Sequence, residues 1–420
     1  MGPRVNTGEE HGGHESQDGV LRSGRSGDSP ERKRSPPGGW PTPRSLYLHV
    51  PFCRHRCGYC NFSVLAGRDD LQDRFLDAIE SEVRGVRART GSESPLLLDT
   101  LYLGGGTPTQ LTDARLQRLM RILRENVTLS PGAEFTCEAN PEDVDVTVLS
   151  RLKEAGVNRI SLGVQSFHDS KLQTLQRSHS RDHAIGAIEL AAKWIGNVTI
   201  DLIFAVPGET LADWRQDLEC AVSLPIRHVS TYSLTYEKGT QFWSRRKRGG
   251  LTPVDEAVDI RMYRASRQVL GDACFDHYEI SSFAMPGYRS QHNSVYWNGY
   301  GWYALGPGAA RFVEGRRHVN HRSPTTYIKR MLETGDATAE HESISLEQHA
   351  REIAAFGIRQ IDGIDLAEVD RRVGYEFSRT IESVLESCEQ SKWLCRNGSH
   401  VKLTSRGLLF ADSVESMILQ

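Results

Sequence analysis

Six short apolar runs between Ser45 and Tyr232 alternate with helix-patterned stretches, and this alternation narrows the possible folds more than any other feature. The runs are Ser45–Val50, Thr100–Leu103, Glu134–Cys137, Arg159–Leu162, Val198–Phe204 and His228–Tyr232. A strand joined to the next through a helix pairs with it in parallel, so the repeat predicts β/α units. Leu71, Phe75, Leu76, Ile79 and Val83 form an apolar stripe at helical spacing, and Leu116, Leu119, Met120 and Leu123 form another behind a candidate N-cap at Thr112. Six units are too few to close an eight-stranded barrel. The expected α/β core is an open, TIM-like partial (β/α)6 barrel.

Barrels of this kind build their sites at the C-terminal ends of the strands. The first strand runs into Cys53-Arg-His-Arg-Cys57-Gly-Tyr-Cys60. Three thiols at these spacings can hold three corners of a metal centre. A [4Fe–4S] cluster with four cysteine ligands has no free iron, so three ligands leave one iron open to a small molecule. On spacing alone a zinc site stays open too, with His49 or His55 as the fourth ligand. A disulfide framework fits poorly in a long chain without a signal peptide.

Gly104-Gly105-Gly106-Thr107-Pro108-Thr109 follows the second strand, where missing Cβ atoms let backbone approach a ligand or simply make a tight turn. Glu138 ends the third strand, Gln165 lies just past the fourth and Asp201 lies within the fifth. Ionised carboxylates there suit an ammonium group and ribose hydroxyls; Gln165 and Arg177 suit ribose and a carboxylate. Salt bridges, helix caps and loop hydrogen bonds are the plainer uses of the same residues.

Composition limits the function classes. Formal net charge is -3 over 420 residues, so bulk attraction to nucleic acid or an anionic membrane is not indicated. No apolar run has the length of an integral membrane segment. Beyond the first three, the eight cysteines show no pairing pattern, and a cytoplasmic protein is expected. Residues 1–43, rich in Gly, Ser, Pro and Arg, read as a disordered tail; their acids argue against a mitochondrial transit peptide. The core then spans 44–340 and a smaller, mainly helical domain spans 341–420. That domain includes a hairpin turning at Asn397-Gly398 and looks winged-helix-like, but it lacks the basic stripe of a DNA binder.

Longer motifs occur in a family order. They include Tyr47-Leu-His-Val-Pro-Phe-Cys53, Leu103-Gly-Gly-Gly-Thr-Pro-Thr109, Glu138-Ala-Asn-Pro141, Gly163-Val-Gln-Ser-Phe167, Arg177-Ser-His179 and His292-Asn-Ser-Val-Tyr-Trp297. From Ser45 to the C-terminus the chain resembles the HemW branch of the radical SAM enzymes, relatives of the oxygen-independent coproporphyrinogen III oxidase HemN. The resemblance implies a radical SAM barrel with a HemW-like C-terminal domain. It implies a [4Fe–4S] cluster on Cys53, Cys57 and Cys60. It also implies S-adenosylmethionine contacts from Tyr47, Tyr59, Gly105, Gly106, Thr107, Glu138, Gln165, Arg177 and Asp201. His292, in a box set among aromatic residues, becomes the heme candidate. The implied partners are heme, a heme-acceptor protein and an electron donor such as flavodoxin or ferredoxin. The alternative is oxidative decarboxylation of coproporphyrinogen III in porphyrin biosynthesis. Phe62 stands where HemN-type oxidases carry a further cysteine, which puts that activity in doubt.

Overall fold

The computed structural model describes residues 35–91 and 94–420. Six parallel strands follow one another in chain order: β1 (Ser45–Val50), β2 (Leu96–Gly105), β3 (Val127–Ala139), β4 (Arg159–Gln165), β5 (Val198–Phe204) and β6 (His228–Ser233). Helical crossovers link them: α1 (Gln72–Arg89), α2 (Asp113–Asn126), α3 (Val146–Glu154), the pair α4 (Asp169–Thr174) and α5 (Arg181–Trp194), and α6 (Leu211–Val222).

After β6 come α7 (Gln241–Lys247) and α8 (Glu256–Asp272), then an antiparallel hairpin, β7 (Asp276–Glu279) and β8 (Ser282–Ala284), on the β6 edge. Helix α9 (Gln291–Trp297) leads to β9 (Tyr303–Leu305), parallel to β1 on the opposite edge. The sheet order is β9-β1-β2-β3-β4-β5-β6-β8-β7, and the two outer strands do not pair with each other. The barrel is therefore open.

Strands β1 and β5 have the bounds expected of them, because both are mainly apolar runs buried by helices outside and barrel inside, broken only by Ser45 and His49 in β1 and by Thr199 and Asp201 in β5. Leu46, Leu48, Val50, Ile200 and Leu202 are fully buried. Strands β2 and β3 are longer than the expected runs. Leu96–Leu98 pair with Val127–Leu129 before a register shift, a polar stretch around Pro131 and Gly132 that reads locally as a turn. Thr112 occupies the N-cap position of α2, yet its side chain makes no capping bond.

A second sheet joins β10 (Ala310–Val313), β11 (Arg316–Asn320) and β12 (Thr338–Ser343), with α10 (Pro324–Thr334) between the last two. The C-terminal part has its own apolar core. It consists of α11 (Leu346–Gly357), α12 (Leu366–Val373), α13 (Glu382–Gln390) and α14 (Ala411–Leu419), with a small sheet of β13 (Ile364–Asp365), β14 (Leu394–Asn397) and β15 (His400–Leu403). The hairpin turns where expected, with Gly398 at φ +62°. Arg372 ties this part to the end of α9, donating to the carbonyls of Asn298 at 2.7 Å and Gly299 at 3.1 Å.

The expected disordered tail falls mostly on residues 1–34, outside the described residues. Its expected end at residue 43 is corrected. Trp40 packs edge-on against Phe312 at 5.7 Å and His349 at 4.9 Å, because an indole gains by leaving water wherever an apolar wall is within reach. Among the described residues no helix is long and apolar enough to cross a membrane.

Candidate functional site

A cavity of about 710 Å³ opens at the C-terminal ends of β1–β6. Cys53, Cys57 and Cys60 line one wall, and none of them is in a disulfide. The thiol loop is anchored by pairing of Phe52–Cys53 with Leu65–Ala66 and by a bond from the Cys60 amide to the Cys57 carbonyl at 3.1 Å. Burial pushes the Cys53 thiol up to about 12, against the hydrogen bond it shares with Thr107 Oγ1 at 3.6 Å. Among the described residues no three His, Cys, Asp or Glu side chains converge on a single ion.

The glycine loop faces the thiols. Gly105 has φ +105°, and a Cβ there would lie 2.3 Å from the His49 ring. A Cβ on Gly106 would lie 2.7 Å from the Val50 and Phe52 carbonyls. The amides are engaged within the protein: Gly105 N–H donates to Glu138 Oε2 at 3.0 Å, and Gly106 N–H to the Val50 carbonyl at 2.8 Å. The loop thus presents a wall without side chains to the cavity rather than free amide donors.

Glu138 and Asp201 form the acidic floor. Burial raises the Glu138 carboxyl to about 7; the Tyr102 hydroxyl, donating at 2.7 Å, opposes the shift, and nearby Asp201 adds to it. Burial likewise lifts Asp201 to about 6, against Ser230, Arg159 and Ser161. Arg159 opposes both shifts and Arg177 opposes that of Asp201, yet loss of hydration outweighs them and leaves both carboxyls above their ordinary range.

Gln165 ends β4 at φ +67°, a left-handed conformation that costs energy for a residue with a side chain, and it lines the cavity. Arg177 enters from the loop after α4. It donates to Asn140 Oδ1 at 2.5 Å, to the Gly163 carbonyl at 2.9 Å and toward Cys57 Sγ at 3.6 Å, while its buried Nε has no partner. Behind these loops, Lys171 bridges Glu209 at 2.5 Å and Asp217 at 2.9 Å, and Asp217 accepts the Phe167 amide at 2.6 Å. That buried triad fixes the segment carrying Gln165 to the loop after β5.

The cavity gathers Cys53, Cys57, Cys60, Tyr59, Gly105, Gly106, Thr107, Glu138, Gln165, Arg177 and Asp201. Tyr47 is not among its lining residues: it sits one layer below His49, sharing a 3.0 Å bond with His49 Nδ1. His292 is not in the wall either. It is buried in α9, with Nδ1 2.8 Å from Thr100 Oγ1, Nε2 2.8 Å from the Tyr296 hydroxyl and its ring stacked on Tyr102. Glu134 accepts the amide of His292 at 3.0 Å and so anchors the start of α9; the neighbouring Asn293 does line the cavity. Sequence reasoning missed Tyr102, Asn140 and Arg159. Asn140 and Tyr102 lie beside or within motifs already singled out, whereas buried Arg159 is marked only by a cation at the start of an apolar run.

Two family models match the chain: the radical SAM superfamily over residues 47–221 and the HemN C-terminal domain over 344–410. Proteins named heme chaperone HemW are similar along nearly their whole length. The Bacillus subtilis protein is 33% identical, covering 88% of this chain and 98% of its own. The Mycobacterium tuberculosis H37Rv protein is 34% identical, covering 90% and 95%. A Danio rerio protein named radical S-adenosyl methionine domain-containing protein 1, mitochondrial, is 29% identical over 89% of this chain and 86% of its own. The solved structure of Escherichia coli coproporphyrinogen III oxidase HemN superposes with a TM-score of 0.79 at 21% identity, covering 90% of each chain, a likeness of fold. Fold and rim together are those of a radical SAM protein. The chain belongs to the HemW family.

Proposed function

We propose that this protein is a heme chaperone, which binds heme and passes it to an acceptor protein. We further propose that it carries a [4Fe–4S] cluster and S-adenosylmethionine in the rim cavity. The carrying observation is one wall of three thiols outside any disulfide facing two half-buried acids and an arginine with a free Nε. The donor set fits the group. Three thiols that share a wall without converging on one point suit a cube several ångströms across better than a single zinc ion.

When bound, the cluster supplies one-electron chemistry at the iron the thiols leave open. The chain's own residues do the holding. Glu138 and Asp201 accept hydrogen bonds from an ammonium group and ribose hydroxyls, and a cation there relieves their desolvation. Arg177 Nε donates to a carboxylate, and the side-chain-free face of Gly105 and Gly106 lets the ligand approach closely. Tyr59, half-buried with its ring edge-on to Phe242 at 6.1 Å, covers part of the thiol side of the cavity.

Heme has its candidate donor in His292. Burial lowers its pKa to about 3, so the imidazole is neutral and has a lone pair to offer. In the resting geometry both ring nitrogens are hydrogen-bonded, Nδ1 with Thr100 and Nε2 with Tyr296, so Nε2 can meet heme only when its bond to Tyr296 opens.

The test is anaerobic reconstitution with iron and sulfide. The parent should turn brown and hold a cluster. The Cys53→Ala, Cys57→Ala, Cys60→Ala triple variant should lose most iron and labile sulfide. A triple variant with a full complement of both would refute the cluster assignment.

A further inference from the structure

The chain is net acidic, yet one outer face beside the thiol loop is cationic. Helix α7 ends in Arg245, Arg246 and Lys247, and Arg248 follows. None of the four is ion-paired with a described carboxylate. Three are propped on aromatic rings instead: Arg245 on Phe242 at 5.9 Å, Arg246 on Tyr236 at 4.8 Å and Lys247 on Trp243 at 5.3 Å. Cations held this way keep their charge available and lose little further entropy when an anionic surface arrives.

The same helix rests on the thiol loop. Phe242 N–H donates to the Gly58 carbonyl at 2.9 Å, and a Cβ on Gly58 would lie 2.6 Å from the Phe242 ring. At 1.5 Å rise per residue, Arg246 lies only about 6 Å further along the helix axis. Beside it is a second cavity, of about 510 Å³, lined by Arg245, Leu251, Pro207, Gly208 and Gln176 among others. Gln176 lines this pocket and also reaches a thiol. Its side chain donates to Gln241 at 2.8 Å, and its carbonyl is 3.9 Å from Cys57 Sγ.

We infer that this cationic face and its pocket are the docking surface for an acidic one-electron donor protein, with Gln176 and Cys57 on the path to the cluster. The inference rests on the cluster reading above. The donor is oxidised by one electron and the cluster reduced by one; no bond forms and the cluster takes up no proton. A nucleic acid would need a cationic track along its backbone, whereas these charges occupy little more than one helical turn around a pocket.

The test uses the full chain, reconstituted anaerobically, with flavodoxin as the acidic probe. Affinity for oxidised flavodoxin is measured by biolayer interferometry at low and moderate salt. Cluster bleaching by flavodoxin hydroquinone is compared with bleaching by dithionite. In Arg245→Glu/Arg246→Glu/Lys247→Glu, affinity should fall about tenfold or more and lose its salt dependence. Bleaching by flavodoxin should slow while bleaching by dithionite stays unchanged. The milder Arg246→Gln/Lys247→Gln variant should fall between the two.

Parent-like binding and bleaching in the charge-reversed protein would overturn the inference. So would equal slowing with dithionite, which needs no docking. Failure of the cluster reading would be seen separately, as a parent protein without iron before any flavodoxin is added.

Discussion

Arg177 holds one guanidinium nitrogen 3.6 Å from Cys57 Sγ, although 120 residues separate the two in the chain. Burial disfavours the guanidinium charge, but the surrounding Tyr59, Cys57 and Glu142 more than offset it, so the cation persists in the cavity wall. One residue therefore faces both the proposed cluster ligands and the space proposed for S-adenosylmethionine.

Arg177→Lys keeps the charge and removes the planar fork and the unpartnered Nε. A charge-assisted hydrogen bond contributes about 1.5–3 kcal/mol, which corresponds to roughly 10–100-fold in affinity. Titration of the reconstituted variant with S-adenosylmethionine should show a loss of that size with iron content preserved. An unchanged affinity would remove Arg177 from the binding site.

Tyr296 guards the candidate heme donor. Tyr296→Phe deletes the hydrogen bond on His292 Nε2, worth about 0.5–1.5 kcal/mol net, so heme affinity should rise by roughly 2–12-fold. His292→Ala should weaken heme binding or move the Soret band while leaving iron–sulfur content unchanged. If neither substitution alters the Soret spectrum or affinity, His292 serves only to hold α9 against Thr100 and Tyr102.

His228 should make the fold acid-sensitive. It is buried, with Nδ1 2.7 Å from Thr199 Oγ1 and Nε2 2.8 Å from the Tyr278 hydroxyl, and burial, aided by Arg159, holds its pKa well below the usual 6.5. Below about pH 6.5 the unfolded chain takes up a proton that the folded one refuses, so stability is lost as pH falls through that value. The slope from this one group reaches about 1.4 kcal/mol per pH unit. His228→Gln should lower the thermal midpoint at pH 7 and flatten its decline toward pH 5. An unflattened decline would show that His228 is not the group responsible.

Phe62 lines the cavity and is 64% exposed, at the position where the sequence resemblance to HemN-type oxidases implies a cysteine. Coproporphyrinogen III incubated with the reconstituted protein, reductant and S-adenosylmethionine should yield no protoporphyrinogen over many turnovers. Sustained product formation would move the oxidase reading to first place.

Much of the site was legible because its signals are local. The thiols, the glycines, Glu138 and Gln165 each follow or end a parallel strand, Asp201 lies within one, and strand ends in such a barrel share one rim. Strands β1 and β5 were legible to the residue because burial on both faces leaves a mainly apolar run, with only a few polar residues such as His49 and Asp201 within it. By contrast, β3 begins in a polar stretch that forms a strand only because β2 supplies its hydrogen-bond partners. That pairing lies in the tertiary structure and has no local signature.

Periodicity along the chain is enough to specify the (β/α)6 core, and the thiol spacing puts three cysteines after its first strand. Depth and direction come from packing. Tyr47 and His49 alternate with Leu46 and Leu48 along β1, so they share a face, but packing puts His49 against Gly105 and leaves Tyr47 a layer below the cavity. His292 looks like an open ligand in the chain, and becomes a buried ring hydrogen-bonded at both nitrogens because Thr100 and Tyr102 of β2 and Tyr296 of its own helix converge on it. A residue's chemistry is written in the chain, whereas partners such as Thr100, 192 residues from His292, meet it only when the barrel assembles.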